Sequence, residues 1–218
     1  MAETKTLSQQ IISFIKSRAL IVTTIFGIFG GALQKLILKI NDTLLGDFGF
    51  IFALLFAFIT CMVFSLVLRG DYKNRKSEKF KIFKRRLNSG IIISAIFLVC
   101  IGFFYFFLVN TRTVVYKPYG ETTRLIKGEY KTELDIATLR KSILAADPGT
   151  KSITDASLIK EAGGTAEALY TPESLAQNRF LLLVVYCLFI IAFTAVSYIV
   201  PDIVSVFYSD IEDGKPLT

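Results

Sequence analysis

The chain has 218 residues, of which 53% are hydrophobic and only 20% charged, and its formal net charge is +7. That balance excludes general disorder and also a charge-rich soluble fold over the whole length. Histidine is absent, which excludes histidine bases and ligands, and Cys61, Cys100 and Cys187 each sit inside an apolar run, so no zinc cluster, disulfide framework or cofactor is expected.

The first residues are polar and partly amphipathic (AETKTLSQQIISFIKSR), and no small-residue cleavage pattern closes the apolar run that follows, so this segment is not read as a signal peptide. Ala19–Leu33 is 15 residues of apolar sequence; continuing to Ile40 takes in Gln34, Lys35 and Lys39. Long lysine stems reach from the apolar zone to the interface. The first span is therefore placed at 19–40, with a re-entrant or interfacial helix as the alternative. The second span is placed at 48–68, the third at 91–109 and the fourth at 180–200, stopped by Pro201; a crossing helix needs about 20 apolar residues.

Between the second and third spans, residues 69–86 read RGDYKNRKSEKFKIFKRR, nine basic against two acidic, or +7. Basic residues near crossings stay in the cytoplasm, so the loop 69–90 is expected there, and four crossings place both termini inside. The expected location is a bacterial inner membrane, multi-pass.

Residues 111–178, with nine basic and nine acidic residues, then form a neutral extracytoplasmic, or periplasmic, α+β domain. Thr113–Lys117 reads as a strand, Pro118-Tyr119-Gly120 as a turn, and Thr123–Ile126 and Glu129–Lys131 as short strands. A helix is expected from Thr132, capped with Asp135 three positions on, with Ile136, Leu139 and Ile143 as its buried face. Asp147-Pro148-Gly149 ends it. A shorter helix over Ala156–Glu161 stops at Gly163-Gly164, and a turn is expected near Ala166–Tyr170. Thr171-Pro172-Glu173 starts a helix that has no breaker before Pro201. The predicted organisation is thus 1–110 with three spans, 111–178 as the outer domain, and 179–218 with the fourth span and a short cytoplasmic tail. The fold class is an all-α transmembrane four-helix bundle with a small α+β extracytoplasmic domain inserted between the third and fourth spans.

Two groups of residues are candidate sites. Thr23, Gly27, Gly31, Lys35 and Lys39 recur four apart on the first span, small at mid-membrane and cationic toward one end. Such a stripe is a helix-packing seam or one wall of an oligomeric pore. Lys73, Arg75, Lys76, Lys79, Lys81, Lys84, Arg85 and Arg86 form the basic loop, a candidate surface for anionic lipid headgroups or for a cytoplasmic protein partner, with nucleic acid less favoured. Phe-rich spans (FGFIFALLFAF, FLVCIGFFYFF) suit a homo-oligomer, a tetramer being one possibility. Ser142, Ser152 and Ser157 have no histidine to activate them, and the acids of 111–178 are scattered, so no catalytic residue is expected and the chain is not read as an enzyme.

The compact size, the basic inner stretch Arg69–Arg86 and the small outer domain feeding the last span through LYTPESLAQNRFLLLVVY resemble the small four-span membrane components of bacterial anti-phage defence systems. The resemblance implies an oligomeric membrane sensor or effector, in antiviral defence, whose outer domain controls the bundle and gates membrane permeability. It carries no catalytic residue over. A non-conducting scaffold that recruits a partner through the basic loop, and a small ion channel or transporter, are the alternatives.

Overall fold

The structure, a computed structural model, describes residues 39–40, 49–67, 78–117, 120–149 and 152–212. Among them are six helices and one open two-stranded sheet: α1 (Gly49–Val67), α2 (Glu78–Arg112), β1 (Thr113–Tyr116), β2 (Thr123–Ile126), α3 (Ile136–Ala146), α4 (Asp155–Glu161), α5 (Ala166–Leu169) and α6 (Pro172–Glu212). This is not the four-helix transmembrane bundle with an inserted α+β domain that the sequence predicts. Two described helices are long and apolar enough to cross a membrane, α2 over Phe80–Arg112 and α6 over Pro172–Val204. The apolar stretch of α1, Ile51–Ser65, is shorter than the roughly 20 residues a crossing takes. The predicted first span lies outside the described residues except for its last two, and these are not helical. Lys39 has φ 52°, and Ile40 forms an isolated parallel bridge with Arg124. The four-span layout behind the resemblance to anti-phage components is therefore not shown, and that resemblance is withdrawn.

Two boundaries also differ from the sequence reading, each for a packing reason. The stretch predicted as loop up to residue 90 is helical from Glu78. It contains no Gly or Pro before Gly90, and Phe80, Phe83 and Leu87 recur at helical spacing and are buried. Their charged neighbours drew the loop assignment, yet Lys and Arg are good helix formers. At the other end, α6 does not stop at Pro201 but continues to Glu212. A proline inside a helix removes one hydrogen bond and crowds the carbonyl four residues back, at a cost of about 3 kcal/mol. Buried residues on both sides of it, Tyr198 and Ile199 before and Asp202 after, hold the helix together across the defect.

Packing divides the described residues into two units, one within 51–103 and 187–212 and the other within 39–50 and 104–186. In the first, Phe80, Phe83, Leu87, Tyr198 and Ile199 form a core, with Cys61, Phe64, Ile91 and Ile203 against it. Phe64 and Tyr198 lie 6.0 Å apart, ring to ring. Small residues face inward at helical spacing, Ala53 and Ala57 on α1 and Ala192 and Ala195 on α6, which lets apolar helices approach closely. The hydroxyls of Thr60 and Thr194 donate to the carbonyls of Phe56 and Ile190, each at 2.7 Å, so neither is left unmatched among apolar side chains.

In the second unit, β1 and β2 pair antiparallel with Thr113 opposite Ile126 and Tyr116 opposite Thr123. The two predicted strands are observed; the third, at 129–131, is reduced to a single bridge between Tyr130 and Tyr170. Helix α3 starts four residues later than expected from Thr132, because Asp135 itself is the N-cap. Its carboxylate accepts from the amides of Ala137 and Thr138 at 3.0 and 3.1 Å. No residue of α3 is buried, so the expected buried face of Ile136, Leu139 and Ile143 is only half covered. Thr154 and Ser157 form a capping box on α4, and α4 buries Leu158 and Ile159. The Gly163-Gly164 stop has φ of 111° and 82°, values that favour glycine.

Candidate functional site

The site is built around five residues, 127–131, that run as a strap between the end of α2 and the start of α6. The backbone of Lys127, Glu129 and Lys131 ties it down. The Lys127 amide donates to the Arg112 carbonyl at 2.8 Å, and the Lys127 carbonyl accepts from Asn178 Nδ2 at 2.6 Å. The Glu129 amide donates to Ser174 Oγ at 2.8 Å, and its carbonyl accepts from the Thr171 amide at 2.8 Å. The Lys131 amide donates to the Leu169 carbonyl at 3.1 Å. Ser174 Oγ also receives the Thr171 hydroxyl at 2.8 Å and donates to the Thr171 carbonyl at 3.0 Å. Gly128 is needed for this approach. A Cβ there would collide with Ser174 Oγ, lie 2.9 Å from Tyr170 Cβ and 3.4 Å from Leu175 Cδ2.

Behind the strap lies a charge cluster. Lys127 Nζ meets Asp155 Oδ2 at 2.6 Å, and the Tyr130 hydroxyl donates to Asp155 Oδ1 at 2.5 Å. Tyr130 stacks on Tyr170, 5.6 Å between ring centres and 28° between planes. Burial pushes the Asp155 carboxyl up, but the Lys127 ammonium and the Tyr130 hydroxyl outweigh it and hold the group below the usual carboxylate range. Burial, followed by the hydrogen bond to Asp155, raises Tyr130 to about 12. Burial, followed by the Asp155 charge, also pushes Tyr170 up. Tyr170 is fully buried, and its hydroxyl has no hydrogen-bond partner among the described residues. Arg179 and Glu167 pair at 2.6 Å at the flank. These groups bind one another, and their contacts hold the Asp155 carboxyl below its ordinary range.

In front of the strap is a cleft of about 340 Å³. Phe107 and Leu108 supply an apolar wall, and Arg112, Glu129, Gln177 and Asn178 supply polar ones. Arg112 and Glu129, both exposed, line the same space, and neither side chain pairs with the other or with any other described residue.

None of these residues was singled out as a site from the sequence. The signal that could have found them is the sequence K-G-E at 127–129, a glycine between opposite charges, but its side-chain partners Ser174 and Asn178 are 45 and 51 residues away and follow no local spacing. Of the predicted sites, Thr23, Gly27, Gly31 and Lys35 lie outside the described residues. Lys39 is described; its backbone is left-handed, with φ 52°, and its carbonyl accepts from the Arg124 amide at 2.8 Å. Lys73, Arg75 and Lys76 also lie outside the described residues. Lys79 belongs to α2, Lys81, Arg85 and Arg86 are exposed on its first turns, and Lys84 is half-buried. Asp202 was missed because the fourth span was ended before it; it is an acid only 2% exposed within the apolar part of α6.

Comparison with known proteins finds no matching family model, curated protein or solved structure. Among the described residues are two helices of membrane-crossing length and apolarity, with a small helix-and-sheet region in the sequence between them. Only 17% of the most apolar window of α2 is buried, unlike a core helix of a soluble protein. This is the makeup of a membrane-associated protein with an accessory region.

Proposed function

We propose that the chain is an integral-membrane sensor, non-enzymatic, in which the accessory region 113–171 binds a signal and transmits it to the membrane helices α2 and α6. One observation carries the reading: the strap 127–131 is hydrogen-bonded at one end to the last residue of α2, and along its length to residues 169–178, which include the first turns of α6. A displacement of the strap changes hydrogen bonds on both helices at once. The helices enter and leave the accessory region without a linker, Arg112 being followed by β1 at Thr113, and Thr171 by α6 at Pro172. On this reading the exposed cations Lys81, Arg85 and Arg86 lie at anionic headgroups on the cytoplasmic side, and the accessory region lies on the other side of a bacterial inner membrane. Homo-oligomers are part of the proposal, since the apolar faces of α2 and α6 serve lipid and neighbouring copies equally well.

The test is side-specific labelling. With the three native cysteines replaced, Asp147→Cys and Glu78→Cys are treated with a membrane-impermeant maleimide on spheroplasts. Position 147 is expected to react from outside, and position 78 only after permeabilisation. Reaction of both from one side removes the crossing of α2 and the sensor reading with it.

A further inference from the structure

The cleft in front of the strap has a composition that none of the roles above uses. We propose that it binds the headgroup of a phospholipid carrying a primary ammonium, a phosphoethanolamine lipid, with the phosphate at Arg112 and the ammonium at Glu129. The inference rests on the reading that α2 crosses a membrane.

Three observations converge on that chemistry. First, the cleft holds one cation and one anion that leave each other unpaired. Arg112 and Glu129 both line it, and neither side chain has an ion-pair or hydrogen-bond partner among the described residues. A ligand with a single charge would match one and leave the other facing it; a zwitterion matches both. The third charge on the wall, Lys127, is already held by Asp155 at 2.6 Å and does not unbalance the pair. Second, the polar charges adjoin an apolar wall. Leu108 is buried at its base, while Phe107 is 61% exposed and continuous along α2 with exposed Phe104 and Phe106. A water-soluble phosphate ester has no use for that wall, whereas an acyl chain lies along it. Third, the position along α2 is that of an interface. Arg112 is the last residue of the helix and ends the apolar stretch, so the cleft stands where headgroups stand. The volume of about 340 Å³ is at the small end of ligand pockets, which run from about 300 to 1,000 Å³. It holds a headgroup and leaves the tails outside.

Recognition of the ammonium distinguishes this class. A primary ammonium donates hydrogen bonds to a carboxylate, so Glu129 favours it over a quaternary one, which donates none. A guanidinium presents a planar fork to phosphate oxygens.

The full chain is reconstituted in nanodiscs made from equal parts of phosphatidylethanolamine, phosphatidylcholine and phosphatidylglycerol, and the lipids retained after transfer to detergent are measured by native mass spectrometry. Phosphatidylethanolamine is expected to be retained over phosphatidylcholine by about fivefold, the factor one exposed ion pair supplies. Glu129→Gln is expected to bring that ratio to about one, and Arg112→Gln to lower retention of both lipids. Lys141→Gln, an exposed charge on α3, leaves the preference intact. Equal retention in the wild type, preference for phosphatidylglycerol, or a preference that survives both cleft variants overturns the assignment. So does equal competition by soluble glycerophosphoethanolamine, which would mean the tails are not used. Alkaline carbonate extraction of the native membranes separates the two readings. Protein that extracts is not integral, which sinks the membrane reading; protein that stays in the membrane but shows no preference sinks only the headgroup.

Discussion

Gly128→Ala is the sharpest test of the strap. The added methyl would collide with Ser174 Oγ and approach Tyr170 Cβ to 2.9 Å, well inside ordinary contact. Overpacking of this kind costs about 1–3 kcal/mol. The serine cannot yield freely, because its oxygen accepts the Glu129 amide at 2.8 Å; moving it forfeits a hydrogen bond worth about 1 kcal/mol. Together these give about 2–4 kcal/mol, or a local opening faster by about 30- to 700-fold. The assay is amide hydrogen exchange on the full chain in nanodiscs, read on peptides covering the amides of Lys127, Glu129, Lys131 and Thr171. In Gly128→Ala these are expected to lose protection while peptides from α2 near Leu87 keep theirs. Gly128→Ala combined with Ser174→Ala relieves part of the clash, so the pair should be non-additive. Wild-type protection of all four amides in Gly128→Ala would refute the close approach, and with it the coupling of the strap to α6.

Three further outcomes follow from the cluster and from α6. Asp155→Asn removes the ion pair with Lys127 and is expected to lower the stability of the accessory region by about 1 kcal/mol in a urea titration followed by hydrogen exchange. Because the Asp155 carboxyl is depressed in the fold, its contribution is present above the ordinary carboxylate pKa of about 3.9 and is lost as pH falls through the lower folded value; the variant should lack that acid limb. Tyr130 has the opposite sign. Its raised pKa of about 12 means a contribution complete below the ordinary value of about 10 and lost as pH rises through the folded one, a limb that Tyr130→Phe should abolish. Pro201→Ala restores a helical amide to α6 and is expected to increase exchange protection at 197–205, with no change at the strap; unchanged protection would mean the helix is already closed around the proline.

Local patterns settled much of this protein. Runs of apolar residues long enough to span a bilayer mark α2 and α6; the same composition rule also placed a span at 48–68, where the apolar helical stretch is only Ile51–Ser65. The TVVY and TRLI strands, the Asp147-Pro148-Gly149 stop, the paired glycines after α4 and the Thr171-Pro172 start of α6 are likewise written in short-range chemistry. Charge misled where packing decided: the basic residues at 79–86 suggested a loop, but Phe80, Phe83 and Leu87 fold that stretch into α2 against Tyr198 and Ile199. Pro201 misled for the same reason, since burial on either side outweighs one missing hydrogen bond. The strap and its cleft belong to tertiary structure entirely. Gly128, Ser174 and Asn178 are ordinary residues in the sequence, and only the return of the chain some 45 residues later brings their hydrogen bonds together and leaves Arg112 and Glu129 facing one space.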